Sequence, residues 1–122
     1  MSGGECQKVL IAAALAQEPA MVLLDEPTTF LDYKHTVEIT ALLRCLNREA
    51  GLTILAVTHD LSSSVLSGDR VIALKAGALV FDGPPADLVR GELLERIYDT
   101  PFAFVAHPVT GLPVPLPRED LP

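Results

Sequence analysis

The sequence predicts an α/β fold in which helices pack on a parallel sheet, and three observations carry that reading. Two short β-rich apolar runs, Met21 to Leu24 and Thr53 to Val57, flank a segment of helical periodicity. Strand–helix–strand alternation of this kind builds a parallel sheet. Both runs end in the most chemically useful residues of the chain, Asp25-Glu26 and His59, and in parallel sheets ligands collect at the carboxyl ends of the strands.

The elements follow in order. Ser2 with Glu5 three residues on makes a capping box, opening a helix to about Gln17. Behind it, Val9 to Ala16 is apolar nearly all round, which predicts a helix buried on most faces. Pro19 closes that unit, and Met21 to Leu24 has the composition of a fully buried parallel strand. Asp32 can cap a helix from about Tyr33 to Ala50, with Ile39, Leu42, Leu43 and Leu46 on one face and Gly51 as its stop. After the strand Thr53 to Val57, a short helix is predicted from Leu61 to Leu66. Arg70 to Leu74 and Ala78 to Phe81 form a hairpin around Lys75-Ala76-Gly77, and Pro84-Pro85 introduces two short helical pieces up to about Tyr98. Phe102 and Phe104 permit an edge strand, while the prolines that follow forbid a central one. These divisions suggest a domain over 1–100 and a proline-rich tail over 101–122.

Composition narrows the function. The chain has 122 residues, 49% of them hydrophobic, and its mean hydropathy is +0.36. Its longest fully apolar run, Val9 to Ala16, is far short of the roughly 20 residues a membrane helix needs, and no secretion signal is visible. The excess apolarity belongs to a core or to a face that meets another body. With a net charge of −7 and scattered basic residues, a nucleic-acid footprint is excluded. Cys6 and Cys45 lack metal-ligand spacing and read as free thiols of a reducing compartment.

Four groups can carry chemistry. Adjacent carboxylates at a strand end, Asp25 and Glu26, point to opposite faces, so that one can reach a magnesium ion and the other can take a proton from an attacking water. They are also what a solvated strand end looks like. His59 can hydrogen-bond a terminal phosphate, or serve the structure alone. Ser2-Gly3-Gly4-Glu5 places two glycines at a helix start, where backbone N–H groups and the helix dipole favour an anion, or it is an ordinary capped helix. Asp32 is equally an N-cap.

The order of these pieces is more specific than any one of them. SGGE, a helix, an apolar strand into DEP, a loop ending in LD, a helix, a strand and THD together resemble the ATP-binding-cassette (ABC) transporter ATPases. The likeness is strong from Ser2 to about Gly83. It implies a partial P-loop NTPase fold, namely the C-terminal half of an ABC nucleotide-binding domain, with ATP and Mg²⁺ as ligands. It makes Ser2, Gly3, Gly4 and Glu5 the signature segment, which would contact ATP held by an opposing subunit. It makes Asp25 the magnesium partner, Glu26 the general base, Asp32 the D-loop residue facing across a head-to-tail dimer, and His59 the switch histidine. The stretches DEPTTFLD, LNREAGLT and PVTGLP look like the importers of ferric siderophores, haem and cobalamin. The partners so implied are a second ABC ATPase subunit (a homodimer or a paralogue), transmembrane permease subunits and a substrate-binding protein. The location so implied is the cytoplasmic face of the membrane.

The sequence also departs from that pattern. No segment fits G-x-x-x-x-G-K-[ST], since no glycine precedes a lysine, and that motif is what cradles the phosphates. The family's glutamine loop and adenine-stacking aromatic would lie before Met1. Met1 itself stands where the family usually has leucine, and leucine-type codons can act as starts. The expectation is therefore an internal start within a longer gene, a chain that neither binds ATP tightly nor hydrolyses it alone, and exposed strand edges that make it aggregation-prone. Cys6 and Ala13 replace residues that are commonly polar or basic in the family. Two other functions fit less of the pattern: a non-catalytic fragment that docks on an intact ABC ATPase, and a soluble ABC ATPase of repair or translation.

Overall fold

Helix α1 spans Gly3–Leu15 and starts where the capping box places it. The Ser2 hydroxyl accepts from the Glu5 N–H at 3.2 Å, and the Glu5 carboxylate accepts from the Ser2 N–H at 3.4 Å. Strand β1 (Met21–Asp25) leads into α2 (Tyr33–Ala50) and then β2 (Thr53–Val57). Gly51 ends α2 at φ 67°, a left-handed conformation that suits glycine at this position. Asn47 Nδ2 then donates to the Leu52 carbonyl at 2.9 Å, turning the chain directly into β2.

A computed structural model describes residues 2–61 and 67–117; the predicted helix Leu61 to Leu66 falls, after its first residue, outside the described residues. The chain divides into two compact units, Met1–His59 and Asp60–Pro122. In the first unit, β1 and β2 pair in parallel with Met21 opposite Thr53 and Asp25 opposite Val57. The buried apolar residues of this unit are Ile11, Val22, Ile39 and Leu52, and α2 packs on both α1 and β2.

Two burial expectations are corrected here. Helix α1 is not covered on most faces: Val9 is 53% exposed and Leu10 65%. Strand β1 is not fully buried either, since Val22 is buried while Met21 and Leu23 are open. The reason is the same for both. The parallel sheet has two strands among the described residues, so only one side of each element meets another. The apolar excess of the sequence belongs to the uncovered faces.

The second unit is built from two hairpins and two short helices. Strands β3 (Val71–Lys75) and β4 (Ala78–Gly83) are antiparallel. Ala76 and Gly77, at φ 50° and 80°, form the tight turn that matches strand twist. Helices α3 (Pro85–Leu88) and α4 (Leu93–Tyr98) follow. Leu88, Val89 and Leu94 form the buried cluster, with Phe81, Ile97 and Phe102 against it. Lys75 Nζ ties β3 to α4, donating to the Arg96 carbonyl at 2.6 Å and to Asp99 Oδ1 at 2.9 Å. The tail forms a second antiparallel pair, β5 (Phe102–Ala106) with β6 (Pro113–Pro117). Pro113, Pro115 and Pro117 cannot donate, so only Val114 and Leu116 supply N–H groups from β6. This is the edge position that proline permits.

No helix among the described residues is long and apolar enough to cross a membrane. Cys6 and Cys45 are both exposed and free. Cys45 donates its thiol to Glu49 Oε2 at 3.2 Å, and that bond raises the thiol pKa.

Candidate functional site at the carboxyl ends of the parallel strands

The register of β1 and β2 fixes the site. Asp25 stands opposite Val57 at the last rung, and Glu26 continues the ladder by donating its N–H to the Val57 carbonyl at 2.7 Å. His59 lies two residues beyond that rung. Its Nδ1 and Glu26 Oε1 are hydrogen-bonded. Two residues 33 apart in sequence thus meet because parallel strands end side by side. Thr29 Oγ1 donates to the other oxygen of Glu26, Oε2, at 3.4 Å. The carboxylate is therefore oriented from two sides, and His59 keeps 78% of its side chain exposed.

The backbone is unusual at the same place. Glu26 has φ 46° and Phe30 φ 66°, so two non-glycine residues in left-handed conformation bracket the loop from β1 to α2. Each costs about 1–3 kcal/mol, and such strain gathers at functional sites. Asp25 is exposed beside Glu26 and borders a shallow hollow lined by Leu23, Leu24, Leu55 and Val57. No cluster of three or more metal-ligating side chains occurs among the described residues. A single exposed carboxylate does suit magnesium, which keeps most of its shell as water and phosphate oxygens and takes one or two carboxylates.

A second cluster forms at the start of α1 and α2. Asp32 caps α2, its Oδ1 accepting the His35 N–H at 2.8 Å and pairing with His35 Nδ1 at 2.7 Å. Gly4 is buried, and a Cβ placed on it would lie 2.1 Å from the His35 ring. Gly3 is more open, with only Leu31 at 3.4 Å from such a Cβ. Ser2, Gly3, Gly4 and Glu5 share no hydrogen bond or ion pair with Glu26 or His59 among the described residues. Sequence reasoning singled out Asp32 and Gly4 but passed over His35 and Thr29. Their spacing, three residues after Asp32 and after Glu26, was the available signal.

Three carboxyls are held below their ordinary range: Asp32 by the backbone N–H of His35, Glu38 by a hydrogen bond from Lys8, and Asp82 by one from Arg70. Because each folded-state pKa is depressed, its contribution is complete above the unfolded values of about 3.9 for Asp and 4.3 for Glu. It is lost as pH falls through the folded values. These three groups should thus add no pH dependence to the apparent melting midpoint above about pH 5 and should lower it below about pH 4. Asp32→Asn, which keeps a good cap, should make that acid limb shallower; an unchanged limb would refute the assignment.

A family model for the ABC transporter matches residues 1–29. The ferric enterobactin transport ATP-binding protein FepC of Escherichia coli (strain K12) is 45% identical over 117 residues, covering 96% of this chain and 43% of that protein. The hemin import ATP-binding protein HmuV of Rhodococcus jostii (strain RHA1) is 42% identical over 120 residues, covering 98% of this chain and 41% of that protein. A solved inward-facing structure, assigned to the metal-chelate type of ABC transporter, superposes with a TM-score of 0.87 at 25% identity, covering 98% of this chain and 48% of that one. The chain thus spans less than half the length of the relatives it matches. On these matches the chain belongs to the ABC-transporter ATPase family.

Proposed function

We propose that this chain forms the signature and hydrolytic rim of an ATP-hydrolysing importer subunit for a ferric siderophore, haem or cobalamin. The observation that carries the reading is the pairing of Glu26 with His59 at adjacent strand ends. Glu26 acts as general base. Its two oxygens are oriented by His59 and Thr29, and a carboxylate keeps lone pairs beyond those two bonds to take a proton from water. His59, as the imidazolium, donates Nδ1–H to Glu26 and has Nε2–H left to donate to a terminal phosphate oxygen. Asp25 holds Mg²⁺, whose charge would offset that of the phosphates.

Ser2, Gly3, Gly4 and Glu5 meet ATP held by the opposing subunit, and Asp32 faces the same interface, so the working form is a head-to-tail dimer. Permease subunits and a substrate-binding protein complete it, with this subunit peripheral on the cytoplasmic face. The names of the two relatives, a ferric enterobactin transporter component and a hemin importer component, support the substrate class. These 122 residues contain no phosphate-cradling G-x-x-x-x-G-K-[ST] segment, so the chain by itself turns over no ATP.

The test compares the purified chain with a fusion that places the upstream part of the E. coli relative before Ser2. Turnover in the fusion alone, with the chain silent, is the expected result. Turnover by the isolated chain, or a folded and ATP-binding fusion that hydrolyses nothing, would overturn the reading. Co-purification with an intact ABC ATPase without hydrolysis would favour a docking fragment instead.

A further inference from the structure

We infer that His35 is a positioning residue: it locks the loop bearing Asp32 to the start of α1, and Gly4 is glycine because the His35 side chain fills its space. One oxygen of Asp32 takes both the backbone N–H of His35, at 2.8 Å, and its ring Nδ1, at 2.7 Å. Two bonds to one atom fix the ring's direction. So held, the ring lies on the bare Cα of Gly4: a Cβ there would meet Cδ2 at 2.1 Å, Cγ at 2.4 Å and Cβ of His35 at 2.8 Å. Swinging the ring aside breaks its bond to Asp32 and still leaves the Cβ overlap. A side chain at position 4 must therefore part the two helices or dislodge the loop.

The same seam continues one turn on, where Lys8 Nζ bonds Glu38 Oε2 at 2.9 Å. Lys8 is four residues after Gly4, and Glu38 three after His35, so both pairs lie on one line of contact between α1 and α2. Gly3 differs, because its missing Cβ would make only an ordinary 3.4 Å contact with Leu31. The two glycines of the signature thus answer to different demands: Gly3 leaves the helix start open, and Gly4 seats the histidine. Any displacement of Asp32 passes through the ring to the Gly4 backbone.

The functional consequence rests on the ATPase reading; the steric relation does not, and the test separates them. On the full chain, Gly4→Ala should lower the apparent melting midpoint by at least about 4 °C, and by less than half as much when His35→Ala is already present. If Gly4→Ala prevents folding, His35→Gly, which removes all three overlapping atoms, should restore it. Equal losses in both backgrounds, or no restoration, would overturn the inference whether or not the fusion is active. In an active fusion, His35→Ala should lower kcat by between about 10- and 100-fold with KM for ATP within about twofold. His35→Asn, which can return an N–H to Asp32, should recover most of that loss. A change in KM alone, or no recovery with asparagine, would also contradict it.

Discussion

Glu26→Gln in the fusion lowers ATP turnover by roughly 10²–10⁴-fold while nucleotide affinity stays within about twofold; general-base catalysis is worth that much. Glutamine has nearly the shape of glutamate: its carbonyl oxygen can still accept from His59 Nδ1 and its amide N–H can donate to Thr29 Oγ1, so the two contacts need little rearrangement. What it cannot do is take a proton from water. The loss should therefore fall on kcat, as for an interaction made only in the transition state. Single-turnover hydrolysis together with equilibrium ATP binding checks both halves. A Glu26→Gln enzyme retaining a third of its rate would mean that the base is another residue.

Ile39→Ala costs the first unit about 2–5 kcal/mol, the range for large-to-small changes in a core. Ile39 is fully buried, at 0% exposure, and among the few residues that are buried in this unit. Small domains have only about 5–15 kcal/mol in total, and here the sheet has two strands among the described residues, so little else compensates. Urea unfolding by far-UV circular dichroism should show the midpoint collapse. The exposed face of α2 supplies the control: Val37→Ala, at a residue 49% open, should move the midpoint far less. Equal shifts would mean that α2 does not pack as described.

Local rules made much of this legible. The cap and stop of α2 were readable because Asp32 and Gly51 each perform one job with one residue. The capping box of α1 was likewise visible as Ser2 and Glu5. Strand ends could be placed because β-rich apolar runs stop at charged residues, and the candidate site followed from them. Burial was not legible in the same way. Leu23 and Leu10 read as core because sequence reports hydrophobicity, and it does not report how many partners a sheet has. The Glu26–His59 contact required the register of two strands 32 positions apart, Met21 opposite Thr53. The His35–Gly4 contact required the packing of two helices. Neither is written in any local pattern. Strain at Glu26 and Phe30 was hidden for the same reason, since neither is a residue type that signals a left-handed backbone.

The most direct test is a crystal structure of the Glu26→Gln fusion with ATP and magnesium. The γ-phosphate should lie within hydrogen-bonding reach of His59 Nε2, a water should sit between it and the side chain at position 26, and Asp25 should face the metal. A γ-phosphate bound away from the ends of β1 and β2, with His59 turned to solvent, would contradict the account.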